Sequence, residues 1–500
     1  MSFIATTAVG LLLAFLLHRF LSPSSSSKGP TVPGPAPLPF IGNYHQIYPY
    51  IKRRQGRQFS MRMFGQYGRI YGVRFFGNAV VVVGDAAVAK RVLTDKEGFY
   101  RDNMFQKMHK GIAHYALFTL PSGDVWHKHR KFMQPSFGPT HIHNTAVIAN
   151  AIANALSDTW AAYPAGHAFN VNYHFACLTL DVIGRLAFSY EFKMVETLAD
   201  PTHTSSASLL HVFEEIVTTM SARYGAPEVT WPVLGISTRN IQGQVSRVRS
   251  IILDVVKQKT SLIRDGRYSP REGVPLDMLD RLIQATTGQA RVQFSTEEMV
   301  DEVYAIFGAG SETTQNTLTF CVLTLAQHPE CHDKVAEELD AVLGASGEVT
   351  YESLARLTYL SAFIRETMRQ YPVAGAVARK AANDVEILGY HIPKDTRVIV
   401  NIRYIQNDSQ YWSKGDAELF RPERWLNDEV NADSPCFLPF GDGPMNCIGQ
   451  KIALAELRTV VAVLARKWRF ELVAGQEVEP VETITTGLKD GLFVRVTPRV

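Results

Sequence analysis

The sequence predicts a mainly α-helical fold with minor β-structure, set behind an N-terminal transmembrane helix. Three observations predict it. Helical patterning runs from about Asp124 to Trp160, persists to Leu343, and returns in an apolar stretch from Cys447 to Trp468. Strand-like runs with turn residues are confined to two regions, one early and one late in the chain. An almost wholly apolar run from Phe3 to Leu17, extended by Phe20 and Leu21, is just long enough to cross a bilayer. The chain has 500 residues, 46% of them hydrophobic and 20% charged, which excludes a disordered or collagen-like chain. Its 51 Lys and Arg balance 48 Asp and Glu, so a nucleic-acid coat is not expected. The five cysteines are odd in number and scattered, which suits free thiols in a reducing compartment rather than a disulfide framework.

Residues 1–21 are read as the anchor. A cleaved signal peptide would want Lys or Arg before the apolar run, whereas Arg19 and Lys28 follow it and favour a cytoplasmic body. Residues 22–42 are read as a hinge: Ser24 to Ser27 supply a tether, and Pro30, Pro33, Pro35, Pro37 and Pro39 stiffen it. Residues 43–500 are read as the globular body, expected as one mainly α domain. Ile70 to Phe75 and Ala79 to Val83, joined through Gly77-Asn78, read as a hairpin, with Asp85 capping the next helix. Strands are expected again between Val385 and Val400, and at Phe470 to Val473 and Leu492 to Val496. No internal repeat is visible.

The most informative stretch is Phe440-Gly441-Asp442-Gly443-Pro444-Met445-Asn446-Cys447-Ile448-Gly449. Gly441 and Gly443 permit backbone conformations closed to other residues, so the loop can fold tightly around a partner. Cys447 lies where loop becomes helix, and N–H groups at a helix start favour a thiolate and lower its pKa. A thiolate in a dry pocket is a strong axial donor for a haem iron. The stretch closely resembles the haem-binding loop of the cytochromes P-450, of the eukaryotic, membrane-anchored microsomal type. The resemblance covers the chain from the anchor to Val500. It implies that Cys447 is the axial ligand and that Phe440, Gly441, Gly443 and Gly449 form the haem-binding loop. One departure stands out: the family usually has Arg, sometimes His, where this chain has Met445, which cannot donate a charge-assisted bond to a haem propionate.

Further motifs occur in family order. Ala309-Gly310-Ser311-Glu312-Thr313-Thr314 lies in a long apolar helix from Met299 to Ala326. Small Ala309 and Gly310 would leave room beside the helix for a ligand, and Glu312 with Thr313, an acid beside a hydroxyl, would relay protons. A solvated Ser-Glu-Thr-Thr face is the plainer reading of the same residues. Glu366 and Arg369 lie three apart on one helical face, a spacing that usually marks a surface ion pair. The resemblance makes them, with Arg424, a buried structural triad. Trp126 and Arg130 share a face at i, i+4; by resemblance they and Arg379 bind haem propionates. His109, His114, His127, His129, His141 and His143 lack the cysteine pairing of a zinc site and are read as surface or loop histidines.

The fold implied is the cytochrome P-450 fold, a triangular helical prism plus small sheets. The reaction implied is insertion of one dioxygen atom into a lipophilic substrate, with electrons from NADPH-cytochrome P-450 reductase and cytochrome b5 as a second donor. The implied setting is the endoplasmic reticulum membrane, single-pass, with the catalytic domain cytosolic. Lys128, Arg130, Lys131 and Lys451 are candidates for the reductase-docking patch or for a solvated face. By resemblance the substrate pocket draws on residues 101–121, 209–222, 305–309, 374–377 and 485–488, with Phe105, Phe118 and Phe307 as apolar walls. Fatty acids, terpenoids, steroids and foreign aromatics all remain open as substrates. Two rival functions use the same fold or cofactor: an isomerase or dehydratase acting on a peroxide, and a non-enzymatic haem sensor. Glu312 and Thr313 argue against both.

Overall fold

The computed structural model describes residues 30–199, 204–224, 226–267, 276–344, 347–412, 416–426, 430 and 434–499. The anchor expected at 1–21 lies outside them. Among the described residues no helix is long and apolar enough to cross a membrane. The chain divides into two compact units, Met1–Arg101 with Ala376–Tyr404, and Asp102–Gly375 with Ile405–Val500.

The first unit is built on a five-stranded sheet. Its strands are β1 (Ile70–Phe75), β2 (Asn78–Val83), β3 (Phe99–Tyr100), β4 (Val377–Ala381) and β5 (Arg397–Val400), in the order β1-β2-β5-β4-β3. The β1–β2 hairpin forms as the sequence indicates, but its turn is Phe76-Gly77, one residue early, both at positive φ. β2 pairs with β5 in parallel, Val80 opposite Arg397. Asp85 caps α1 (Ala86–Thr94), its Oδ1 accepting from the Val88 amide at 3.0 Å. One face of the sheet packs on Phe59, Met63 and Phe64 of the preceding helix Gly56–Tyr67.

The described part of the expected hinge is not a free linker. Residues 30–42 are docked along β1, which the backbone permits because two glycines lie where a Cβ would sit 2.0 Å from Gly72 O (Gly34) and 2.1 Å from Arg74 O (Gly42). The Gly72 amide donates to Pro33 O at 2.7 Å. Asn43, almost wholly buried, staples both strands: its Nδ2 donates to Pro35 O at 2.9 Å while its Oδ1 accepts from the Arg74 amide at 2.8 Å. Proline's locked φ and missing donor extend the segment, and these bonds fix it.

The second unit is mainly helical. Its principal helices are α2 (Asp124–Met133), α3 (Pro139–Ala161), α4 (Val171–Phe188), α5 (Thr204–Ala222), α6 (Gln242–Arg264), α7 (Met278–Thr286), α8 (Thr296–Gln327), α9 (Pro329–Leu343), α10 (Thr358–Gln370) and α11 (Gln450–Lys467). α8 starts with a capping box, Ser295 and Glu298 each accepting the other's backbone N–H. It packs on α4 and α11, and most of its side chains are buried, so a 32-residue helix carries little amphipathic signal. Leu318, Val322 and Leu325 of α8 meet Val460, Val461 and Leu464 of α11 beside Phe175 and Phe470. A three-stranded sheet (Phe169–Asn170, Phe493–Pro498, Trp468–Leu472) and a short hairpin (Pro480–Glu482, Thr486–Leu488) complete the unit. Mainly α with small sheets is therefore the architecture of the described residues, as the sequence indicates.

Candidate active site

The Cys447 loop owes its shape to its glycines. Gly441 and Gly443 lie at φ of +69° and +71°, where an L side chain is strained, and a Cβ on Gly441 would meet nothing within 4 Å. Two backbone bonds close the loop, Asn446 N to Gly443 O at 3.1 Å and Cys447 N to Phe440 O at 2.9 Å. Gly449 precedes α11, and a Cβ there would lie 3.9 Å from Cys447 Sγ. The helix begins at Gln450, three residues later than expected, so Cys447 stands just ahead of it.

All five cysteines are free; four are buried and only the Cys447 side chain is open. The sulfur is nevertheless surrounded by protein. Burial pushes the thiol's pKa up, while the Gly449 and Gln450 amides and the Arg130 guanidinium pull it down without prevailing. This corrects the expectation of a lowered pKa: the amides do point at the sulfur, but desolvation outweighs them. An accessible sulfur deep in the fold, with two amides aimed at it and a cation beside it, suits a metal-bound thiolate, whose proton is displaced on ligation.

Arg130 spends two of its five N–H donors on the Cys447 loop. Its Nη1 donates to Asn446 O and its Nη2 to Asn446 Oδ1, both at 2.9 Å, tying α2 to the residue before Cys447. Trp126, one turn earlier, is 4% exposed. Met445 accepts a long contact from Ser122 Oγ, 3.7 Å from its sulfur. Arg379 belongs to the first unit, on β4, buried and donating to Ala378 O at 2.9 Å. Desolvation lowers its pKa to about 10, which still leaves it charged at neutral pH.

On α8 the expected motif resolves into residues with different surroundings. Ala309 is exposed in the middle of an otherwise buried helix, and a Cβ on Gly308 would meet nothing within 4 Å. Gly310 is a correction. A Cβ there would come 2.9 Å from Ile183 of α4, so the missing side chain serves close helix packing on that side. The Thr313 hydroxyl donates back to Ala309 O at 2.8 Å. Glu312 is half-buried and accepts from the Thr485 hydroxyl, which in turn accepts from Asn316 Nδ2 at 3.3 Å. Burial raises the Glu312 pKa, Thr485 opposes that, and Glu214 on α5 adds to it. Phe307 is a second correction: its ring stacks on Phe213 and meets Phe192 edge-on, with centroids 5.0 and 5.1 Å away. It is 3% exposed and lines packed interior between α5, α6 and α8 rather than an open wall.

The triad assembles fully buried. Arg369 Nε and Nη2 fork onto Glu366 at 3.0 and 2.9 Å, and Arg424 Nε reaches the same carboxylate at 3.0 Å. Sequence reasoning missed three further members: Trp425 Nε1 donates to Glu366 at 2.9 Å, Asp416 takes Arg424 Nη1 at 2.8 Å, and the Trp412 ring lies under both guanidinium groups.

The histidine reading also changes. His109, His129 and His141 are buried. His129 lies between Glu302 and Glu298 of α8, at 2.5 and 3.2 Å. Glu302 and Asp301 also accept the backbone amides of Leu117 (2.9 Å) and Tyr115 (3.0 Å), so this acid pair fixes the 112–117 segment. Only an Asp-Glu dipeptide in a helix hinted at it. Among the described residues no group of His, Cys, Asp and Glu is arranged to hold a metal ion. Lys128 turns inward to Glu298 (2.9 Å) and the Phe294 ring, and Arg130 to Asn446, leaving Lys131 and Lys451 as the exposed cations of the expected patch.

The family model of Cytochrome P-450 matches residues 32–492, and the chain belongs to that family. Its cofactor is accordingly haem with a cysteine thiolate on the iron, and the protein is a monooxygenase that works with a redox partner on lipophilic substrates. Among curated relatives it is similar to Cytochrome P-450 3A28 of Bos taurus, 25% identical over 94% of this chain and 90% of that one. It is 26% identical to Cytochrome P-450 3A29 of Sus scrofa over 98% and 96%. It is 27% identical to Cytochrome P-450 3A7 of Homo sapiens over 93% and 90%. The matched region starts at residue 32, within the docked proline segment.

Proposed function

We propose that Cys447 supplies the axial thiolate of this monooxygenase, and that the enzyme oxidises a lipophilic organic substrate with electrons from NADPH-cytochrome P-450 reductase, assisted by cytochrome b5. The observation that carries this reading is the lone open thiol, held ahead of α11 by two positive-φ glycines with the Gly449 and Gln450 amides directed at its sulfur. Haem bound there supplies activation of dioxygen, one atom entering the substrate and the other leaving as water.

The chain's own residues hold and protonate. Arg130 fixes the loop through Asn446, and with Trp126 would hold the propionate edge. Met445 supplies no charge there, so the Arg130 guanidinium would bear that role. Glu312 stores the proton and Thr313 passes it on; desolvation raises the carboxyl's pKa, so it holds its proton more firmly than a free carboxyl. The setting proposed is the endoplasmic reticulum membrane, with residues 1–21 as the single span and the catalytic body cytosolic.

The test is an optical titration of the purified haem protein with fatty acids, terpenoids, steroids and aromatics. A saturable spin-state shift with one class names the substrate chemistry and directs the reductase-coupled assay. A Cys447→Ser protein should lose the thiolate signature of the Soret band; if it keeps that signature, Cys447 is not the ligand.

A further inference from the structure

Glu312 and Asn316 lie one turn apart on α8 and present to the same side. Both meet Thr485, in the turn of the Pro480–Glu482/Thr486–Leu488 hairpin. A hydroxyl carries one proton. The Asn316 amide donates to the Thr485 oxygen, which leaves that proton to the Glu312 carboxyl. Gly487 preserves the arrangement, since a Cβ there would press to 3.1 Å from Asn316 Oδ1. The turn is fixed independently of Glu312. The Thr486 amide donates to Val373 O at 2.8 Å and the Thr483 amide to Thr485 O at 2.9 Å. Val373 leads directly into exposed Ala374, so the turn that holds the acid is strapped to a stretch expected to face the substrate.

We infer that Thr485 is a positioning residue for Glu312: its hydroxyl parks the carboxyl against the hairpin turn, so that proton delivery depends on where that turn stands. This rests on the reading of Glu312 as proton store. While the bond is made, the carboxyl is held at one rotamer and its charged form is favoured. When the turn moves, the carboxyl is released and holds its proton more firmly. The other groups that act on this acid are Glu214 on α5, which raises its pKa, and Tyr304 on α8, whose own phenol is raised by burial first and by Glu312 second.

The experiment compares Thr485→Val, Thr485→Ser and Glu312→Gln holoenzymes with wild type. It reads the infrared carbonyl band of protonated Glu312 against pH, assigned by its loss in E312Q, and the share of NADPH electrons recovered as hydrogen peroxide. Removing a hydrogen bond that favours the carboxylate should move the Glu312 midpoint upward by about one pH unit in T485V. More electrons should be lost as peroxide, while T485S keeps the wild-type midpoint and all variants keep the wild-type melting temperature. A T485V midpoint equal to wild type, or a T485S shift as large as that of T485V, overturns the inference. Should T485V fail to fold, Asn316→Ala frees the hydroxyl without removing it; a smaller upward shift supports the inference and no shift overturns it. If E312Q leaves the peroxide share unchanged, the proton-store reading fails, and the infrared midpoint still decides whether Thr485 governs the carboxyl.

Discussion

Arg130 commits both terminal nitrogens to Asn446, so its substitution should be felt first at the neighbouring Cys447. Charge-assisted bonds of this kind are individually worth a few kcal/mol at most, so Arg130→Ala should release haem about ten-fold faster. The measurement is transfer of haem to an excess of scavenging apoprotein; loss no faster than from wild type would count against the role. A second prediction concerns His109. Its Nδ1 donates to Phe105 O at 2.7 Å, its ring packs on Phe118, and burial pushes its pKa down to about 4. The folded protein therefore keeps this ring neutral where the unfolded chain, titrating near 6.5, would protonate it. Between those values the unfolded state binds the extra proton, so stability must fall as pH drops from about 6.5 toward 4, by roughly 3 kcal/mol from this residue. Denaturant unfolding at pH 7.5 and 5 reads the drop, which a His109→Leu protein should show in smaller measure.

At the scale of elements, the Glu366 carboxylate, held within α10 by Arg369, joins that helix to the Arg421–Trp425 turn through one arginine, an indole and a backbone amide. Glu366→Gln keeps the volume but leaves Arg369 as a buried cation without a carboxylate and Arg424 with Asp416 alone, costing ~3–5 kcal/mol. Chemical denaturation should show that loss, and a change below about 1 kcal/mol would mean that Asp416 alone satisfies both arginines. What was legible in the sequence at this scale follows from locality. The Cys447 loop, the Asp85 cap and the β1–β2 hairpin are set by residues within a few positions of each other, so their spacing reveals them. β4 was missed because Val-Ala-Arg-Lys-Ala has neither the apolar run nor the clean alternation of a strand; its partners β5 and β3 define it. The burial of His129 was equally hidden, because Glu302 lies 173 positions away. The Thr485–Glu312 contact has the same separation and was hidden for the same reason.

For the whole molecule, family-level chemistry was readable before any coordinates, because five motifs had to occur in one order along 500 residues. The sequence could not show which cations remain outside. Lys128 and Arg130 look like surface charge in a helix pattern, yet both are turned inward, so a partner reading this face meets Lys131 and Lys451 instead. Replacing Lys131 and Lys451 together by Glu should slow reductase-driven turnover at low salt while leaving haem content intact; unchanged turnover would place the docking face elsewhere. The proline segment has a practical consequence. β1 is the terminal strand of its sheet, and residues 30–43 cover the flank that β2 does not. A shortened protein starting at Gly29 keeps that flank sheathed, whereas one starting at Tyr44 bares unpaired amides at Gly72 and Arg74 and invites another chain to add as a strand. The first should purify as a dispersed species and the second as aggregate, whatever happens to the apolar residues ahead of them.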